Sequence, residues 1–234
     1  MGKTIEYPSR LISNSGGAGR MEALGEPISV PKNHIFIFPG VVPEHCYVLK
    51  SGRVITFEYT SDGAERVYMV HEPSAVFLEG NMIAREAVYA YFRATLPCEL
   101  IRVTRDALCN AISKDPAFAF EVIKFIDYKF NAAMEIIRQT RCFNVEWNIC
   151  NLFLVFANRY GVPYDGKLLI AEKVSQQMIS NMLGINRITA VRIIQRLKAQ
   201  RLIEQINGQY CIRGKEQLQK HMDSLAGPVV NLMK

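Results

Sequence analysis

Apolar and polar positions follow two different periods along the chain. Between residues 35 and 103, short apolar runs alternate with polar residues, and turn pairs such as Pro39-Gly40 and Asp62-Gly63 separate the runs. Period-2 patterning over short segments is typical of strands that are half buried. This part of the chain therefore predicts an N-terminal antiparallel β-barrel or jelly roll, and together with the helices that follow it an α+β protein.

A long helix is predicted over residues 118–141, directly after Asp115-Pro116. Its apolar residues are spaced by 3, 4, 3 and 4 positions, at Ile123, Ile126, Phe130, Ala133 and Ile137. This spacing is the seam of a coiled coil, and an identical helix of a second copy is its simplest partner. The alternative is a seam that packs only on the chain's own barrel.

A further helix is predicted from Trp147 to Tyr160, ended by Gly161 with Pro163 just beyond. With a hinge near residues 141–144, the chain divides into three parts. These are an effector-sensing barrel (1–114), a dimerisation helix with its hinge (115–142) and a DNA-binding domain (143–234).

Residues 174–203 predict two short helices joined by a tight turn. Ser175 and Asn186 are good N-caps, and Gly184 accepts the left-handed conformation that ends a helix. In the second helix one stripe repeats at helical spacing and is predicted to be buried: Ala190, Ile193, Ile194 and Leu197. The opposite face carries Arg187, Ile188, Val191, Arg192 and Gln195. Arginines on such a face can donate to guanine in the major groove, although an ordinary helical hairpin with solvated arginines remains the alternative.

The pair Asn207-Gly208 lies between two apolar runs and predicts a tight β-hairpin. A helix-turn-helix followed by such a hairpin is the winged-helix arrangement. Charge supports a nucleic-acid partner, because residues 167–215 contain nine Lys or Arg and only two acidic residues, against 19 basic and 20 acidic residues elsewhere.

Other function classes find less support in the sequence. No signal peptide or membrane-spanning run is apparent, so we expect a cytoplasmic protein with no membrane partner. No Cys-x-x-Cys pair occurs and the histidines at 34, 45, 71 and 221 form no His-x-His pair, so no metal, cofactor or catalytic residue is predicted. The alternatives are a cupin-like metal enzyme and a regulator that senses redox state through Cys142, Cys150 or Cys211.

In the order barrel, long helix, hinge and winged helix, residues 30–213 resemble the Crp/Fnr family of transcription regulators. The resemblance rests on the motif of residues 47–54, YVLKSGRV, and on residues 175–192, SQQMISNMLGINRITAVR. It implies that Arg187 and Arg192 touch bases while Ser175, Gln176 and Thr189 contact phosphates. With the capping Asn186, these residues are the predicted DNA-binding set. The implied partners are a second copy, double-stranded palindromic DNA, a small-molecule effector and, for an activator, RNA polymerase.

Departures from the family pattern refine these expectations. Where members that bind cyclic AMP have Gly-Glu and Arg-Ser pairs, this chain has Glu79-Gly80 and Val88-Tyr89. No arginine is left for a cyclic phosphate, so cyclic AMP is not the expected effector. Ile188 stands where many members have a glutamate, and isoleucine can only pack on a thymine methyl. A·T-rich half-sites are therefore expected.

Within the family, the likeness is strongest to halorespiration regulators that sense chlorinated phenols. Phe120-Glu121, Lys124, Lys129 and Asn144 match their spacing. The resemblance implies that Lys129 meets a phenolate, and it gives a predicted effector-binding set of Lys129, Phe77, Asn81 and Tyr89. The alternatives are that Lys129 is a solvated lysine at the edge of the seam and that the barrel aromatics are simply core.

Overall fold

The computed structural model describes residues 12–13 and 18–226. They form two compact units, one that ends at Met134 and one that begins at Glu135. The boundary between the units lies inside the long helix. The reason is packing: Phe118, Val122 and Phe125 belong to the core of the first unit, whereas Gln139 is hydrogen-bonded by Asn151 of the second.

The described part of the first unit is mainly β-structure. In chain order its elements are β1 (Ile12–Ser13), α1 (Gly19–Glu22), β2 (Glu26–Val30), β3 (Ile35–Ile37), β4 (His45–Ser51), β5 (Val54–Tyr59), β6 (Glu65–His71), β7 (Val76–Phe77), α2 (Glu79–Ala84), β8 (Tyr91–Ala94), β9 (Cys98–Thr104) and α3 (Arg105–Lys114). One sheet has the order β1-β6-β5-β8-β3 and the other β2-β9-β4-β7. The pairs are antiparallel except for the short parallel pair of β1 and β6.

Side chains of both sheets meet in one hydrophobic cluster, to which β4 contributes Tyr47 and Leu49 and β8 contributes Phe92. The α+β class and the antiparallel N-terminal fold predicted from the sequence are thereby confirmed. The sequence pattern missed β2, α2 and α3. Strand β2 (Glu26–Val30) contains Pro27 and is largely exposed, so it lacks a strict alternation, yet it pairs along its whole length with β9.

The long helix α4 spans Ala117–Cys142. Before it, the side chain of Asp115 accepts a hydrogen bond from the backbone N–H of Ala117 at 3.1 Å. Asp115 also pairs with Arg20, whose guanidinium lies 4.4 Å from the ring centroid of Phe118. The position of the helix start thus follows from a local cap and a charged contact that together hold its first turn.

The second unit continues after α4 with helices and a small sheet. Its further elements are α5 (Val145–Tyr160), β10 (Gly161–Tyr164), β11 (Lys167–Ile170), α6 (Gln176–Leu183), α7 (Arg187–Ala199), β12 (Ile203–Ile206), β13 (Gln209–Ile212) and α8 (Lys215–Leu225). The sheet order is β10-β11-β13-β12, and all its pairs are antiparallel. The φ angles of Asn207 and Gly208 are 49° and 84°, which confirms the predicted hairpin turn. The sequence pattern did not predict the second hairpin, at Asp165-Gly166.

Candidate functional site

Helices α6 and α7 are fixed by caps that the sequence predicted. The hydroxyl of Ser175 accepts a hydrogen bond from Met178 N at 3.0 Å, and Asn186 Oδ1 accepts one from Ile188 N at 2.8 Å. Between the helices, Gly184 adopts φ 64° and ψ 28°, the left-handed conformation expected of it. Both N-caps and the C-cap glycine are therefore confirmed.

Helix α7 has one buried and one exposed face. The predicted inward stripe of Ala190, Ile193, Ile194 and Leu197 is buried, as expected. On the opposite face Arg187, Arg192 and Gln195 are exposed, and Ile188 is 77% exposed. The outward face thus offers two guanidinium groups and one bare aliphatic side chain.

The predicted DNA-binding residues all lie on α6, on α7 or at their caps. Ser175, Asn186, Arg187 and Arg192 are exposed, while Gln176 and Thr189 are half-buried. Neither Arg187 nor Arg192 forms an ion pair with any residue that the structure describes. Their charges are therefore available to a polyanion.

The cations of the small sheet are arranged differently. Lys167 and Arg213 both contact Glu204, at 2.7 Å and 3.1 Å. Hydrogen bonding to Lys167 holds the pKa of Glu204 below its usual value, so this carboxylate stays ionised. Part of the basic excess of the segment is thereby neutralised within the small sheet. Arg187 and Arg192 of α7 have no such acidic partner among the described residues.

Helix α7 is anchored by a buried carboxylate that no sequence pattern indicated. Glu146 in the first turn of α5 accepts a hydrogen bond from Arg196 Nη1 at 2.6 Å, and His221 Nε2 of α8 lies 3.0 Å from its other oxygen. A carboxylate near a helix N-terminus is common and points to no particular partner. The partners of Glu146 lie 50 and 75 positions away in the sequence. No sequence signal identified this cluster.

The predicted coiled-coil seam of α4 is exposed. Ile123 is 55% exposed, Phe130 62% and Ile137 48%, and Ile126 and Ala133 are also exposed. A different stripe of the helix faces its own unit and is buried: Phe118, Val122, Phe125 and Ala132. The alternative of a seam that packs only on the chain's own barrel is therefore wrong, and the seam is free to meet a partner.

In the candidate effector site, Lys129 of α4 is half-buried and points toward α2. Its ammonium group pairs with the carboxylate of Glu79 and lies 3.4 Å from the carbonyl oxygen of Val76. Glu79 is fully buried, and its second oxygen has no hydrogen-bond partner among the described residues. Lys129 is thus not a solvated lysine at the seam edge.

The other predicted effector residues do not converge on Lys129. Phe77 is 1% exposed and stacks on Tyr47 and Phe92, so it is a core residue. Asn81 donates to the carbonyl oxygen of Ala87 at 3.4 Å. Tyr89 is 72% exposed, with its ring 6.3 Å from that of Tyr68. The structure brings Lys129 next to the Val76–Phe77 strand and leaves Tyr89 on the outer surface.

A buried histidine beside this site was not predicted. His71 is 2% exposed, and its Nε2 lies 2.7 Å from the hydroxyl of Thr56. Burial lowers the pKa of His71 to about 3, and the charge of Lys129 acts in the same direction. His71 is therefore neutral, and its Nδ1 has no partner among the described residues.

Cysteine and metal chemistry gain no support from the described residues. Cys46, Cys98, Cys150 and Cys211 are buried, and burial raises the pKa of Cys46 and Cys150 to about 12, so their thiols stay protonated. Of the three cysteines considered for redox sensing, Cys142 alone is exposed. Across residues 12–13 and 18–226, no three His, Cys, Asp or Glu residues are grouped to hold a metal ion. No helix in those residues is long and apolar enough to cross a membrane.

Comparisons with known proteins match both parts of the chain. Residues 27–115 match the family model "Cyclic nucleotide-binding domain", and residues 149–221 match "Crp-like helix-turn-helix domain". The CRP-like cAMP-activated global transcriptional regulator of Mycobacterium tuberculosis is 20% identical over 164 residues, which are 70% of this chain and 73% of that protein. The global nitrogen regulator of a Nostoc species is 22% identical over 177 residues, or 74% and 78% of the two chains.

Solved structures agree in fold. CprK complexed with OCPA superimposes with a TM-score of 0.72 at 17% identity, covering 93% of this chain and 99% of CprK. A CooA mutant from Carboxydothermus hydrogenoformans also gives 0.72, at 16% identity over 87% and 90% of the two chains. The curated relatives are regulators by name and the C-terminal match is a helix-turn-helix domain, which confirms the prediction that the chain is not an enzyme. With its cyclic-nucleotide-binding fold followed by a Crp-like helix-turn-helix, the chain belongs to the Crp/Fnr family of effector-responsive, DNA-binding transcription regulators.

Proposed function

We propose that the protein acts as a homodimer, joined through α4, on an inverted-repeat DNA site. The observation that carries this proposal is the exposed apolar stripe of α4, from Ile123 to Ile137, in a chain whose helix α7 displays unpaired arginines. Large apolar side chains repeated at 3-4 spacing gain free energy when a second helix covers them. Two-fold symmetry then presents two copies of α7 to successive turns of the major groove.

The DNA contacts proposed for each copy follow the exposed surface of the helix-turn-helix. Arg187 and Arg192 read base edges, and Ser175, Gln176 and Thr189 contact phosphates, with Asn186 holding the start of α7. In this arrangement the caps keep α7 in one register, so that the arginines meet the same base pairs in each half-site.

The effector is proposed to be a small anionic aromatic molecule that binds beside Lys129. A lysine ammonium has three donors. One is committed to Glu79 and another is directed at the Val76 carbonyl, which leaves one for an effector oxygen. An anionic effector would also compete with Glu79 for the charge of Lys129. Through Lys129, α4 would then contact either Glu79 or the effector.

Selection of binding sites from random DNA tests the DNA-binding proposal. The expected product is an inverted repeat with half-site centres about one helical turn apart. Asymmetric or unrelated selected sequences would contradict the dimeric arrangement. For the effector, a thermal-shift screen of phenols, aromatic acids and nucleotides, with Lys129→Met as the comparison protein, identifies ligands whose stabilisation depends on Lys129.

A further inference from the structure

Ile188 is an apolar side chain in a place where the fold does not need one. It lies in the first turn of α7 and is 77% exposed, a larger fraction than any other large apolar side chain of the described residues. The packing of α7 on its own unit uses a different stripe, which includes Ile193 and Leu197. The stability of the unit therefore does not explain the isoleucine.

The neighbours of Ile188 place it on the surface that meets DNA. Arg187 precedes it and Arg192 follows one turn later, and both are exposed. Val191 is three positions on and half-buried, and side chains at this spacing are neighbours on a helix. Ile188 and Val191 thus form a small aliphatic patch between the two arginines.

The major groove offers such a patch one kind of partner. The edges of guanine, adenine and cytosine present hydrogen-bond donors and acceptors, which an isoleucine cannot use. Thymine adds a methyl group on C5, which is the apolar group of the groove. A methyl group on C5 of cytosine projects into the groove from the equivalent ring position.

We propose that Ile188, supported by Val191, recognises a C5-methyl group as such, at one position of each half-site. The protein then distinguishes thymine from uracil and 5-methylcytosine from cytosine at that position. This inference rests on the proposed DNA-binding function. It adds to that function a preference for the C5-methyl group, which does not take part in base pairing. Methylation of a cytosine at this position strengthens binding, whereas an unmethylated cytosine leaves Ile188 without an apolar partner.

The test uses the full chain and the inverted repeat obtained by selection. Each thymine of the half-site is replaced in turn, symmetrically, by deoxyuridine, which removes the methyl group and keeps the base pairing. Burial of one methyl group contributes about 0.8 kcal/mol, which corresponds to about fourfold in affinity per half-site and about 16-fold for the symmetrically substituted repeat. We expect one thymine position to show this loss, and a cytosine placed there to gain about the same factor on C5 methylation.

Two variants separate Ile188 from its surroundings. Ile188→Ala is expected to bind the thymine and uracil sites equally, because its side chain is too short to reach the methyl group. The matched control Gln195→Ala, at another exposed position of α7, keeps the thymine preference. Wild-type protein that binds every uracil-substituted site within twofold of the parent would overturn the inference, as would an unchanged preference in Ile188→Ala. Failure to select any DNA site would instead contradict the proposed function and this inference with it.

Discussion

Arg196 of α7 donates a hydrogen bond of 2.6 Å to Glu146 of α5, whose side chain is only 10% exposed. The same carboxylate meets His221 of α8 at 3.0 Å. Three helices of the DNA-binding unit therefore share one buried acceptor. Since Arg196 lies on the same helix as Arg187 and Arg192, this contact also helps to orient the residues proposed to read DNA.

Replacing Glu146 by alanine is expected to lower the free energy of unfolding of this unit by about 1–3 kcal/mol, because two partners lose a buried acceptor. Trp147, the single tryptophan of the chain, is fully buried next to Glu146, so its fluorescence during urea denaturation reports on this unit. Glu216→Ala, at an exposed position in the first turn of α8, is the control and should change stability little. Equal effects of the two substitutions would rule out the anchoring role.

Phe130→Glu is expected to convert the proposed dimer into monomer. Phe130 is 62% exposed in the single chain. In a symmetric dimer each copy contributes one glutamate to the interface, and burial of these two carboxylates costs more free energy than the phenylalanine contacts gain. A central aromatic residue of an interface is typically worth about 2–4 kcal/mol. Sedimentation velocity measures the change, with the exposed Lys124→Gln, which alters the net charge by the same amount, as the control. A dimeric Phe130→Glu protein would contradict the assignment of the interface to α4.

Local patterns carried most of what could be predicted. The caps Ser175, Gly184 and Asn186 act within a few residues, and the stripe of α7 is a simple helical period, so neighbouring residues determine both. In α4 the apolar residues form two stripes. No local pattern specifies which stripe, that of Phe125 or that of Phe130, is buried in the same chain, because this depends on the barrel surface.

Contacts between distant residues could not be predicted. Lys129 was identified through a family resemblance, but its partner Glu79 lies 50 positions away in a helix that the pattern did not show. The same holds for His71. Its position in a strand does not show that it is buried among aromatic rings from other strands. Phe77 was expected to line a ligand site, whereas its ring stacks on those of Tyr47 and Phe92 in the core.

Arg192→Ala is expected to weaken binding to the selected DNA by about 1–3 kcal/mol and to relax the preference at one base pair, since the guanidinium is proposed to read a base edge. Fluorescence anisotropy with the selected site and with a scrambled duplex separates the two effects. The control is Arg85→Ala, which removes an exposed arginine of the other unit and therefore has the same net charge as Arg192→Ala. If both substitutions weaken the two duplexes alike, Arg192 contributes charge and not sequence recognition.

The pair of Lys129 and Glu79 is expected to be strongly coupled. Lys129→Met leaves a fully buried carboxylate without its cation, and Glu79→Gln leaves a half-buried ammonium without its anion, so each single variant is destabilised. The double variant restores a neutral pair, and the coupling energy should be about 0.5–3 kcal/mol, as is typical of residues in contact. Thermal denaturation of the four proteins gives the cycle. Additive single effects would show that the ion pair is not formed in solution.

His71 is expected to make the barrel unit sensitive to acid. Burial holds the pKa of His71 at about 3, below the value of roughly 6.5 of an unfolded histidine. Between these two values the unfolded chain binds a proton that the folded chain does not, so stability falls as the pH is lowered through that range. From pH 7.5 to pH 5 this linkage amounts to about 2 kcal/mol.

The variant His71→Gln does not titrate and can still reach the hydroxyl of Thr56, so it should lose this acid sensitivity while keeping the hydrogen bond. His34→Gln, at an exposed position, serves as the control and should behave like the wild type. The measurement is the free energy of unfolding by urea at pH 5.0 and 7.5, followed by far-ultraviolet circular dichroism. A wild-type protein as stable at pH 5.0 as at pH 7.5, relative to His71→Gln, would mean that the imidazole accepts a proton in the folded barrel.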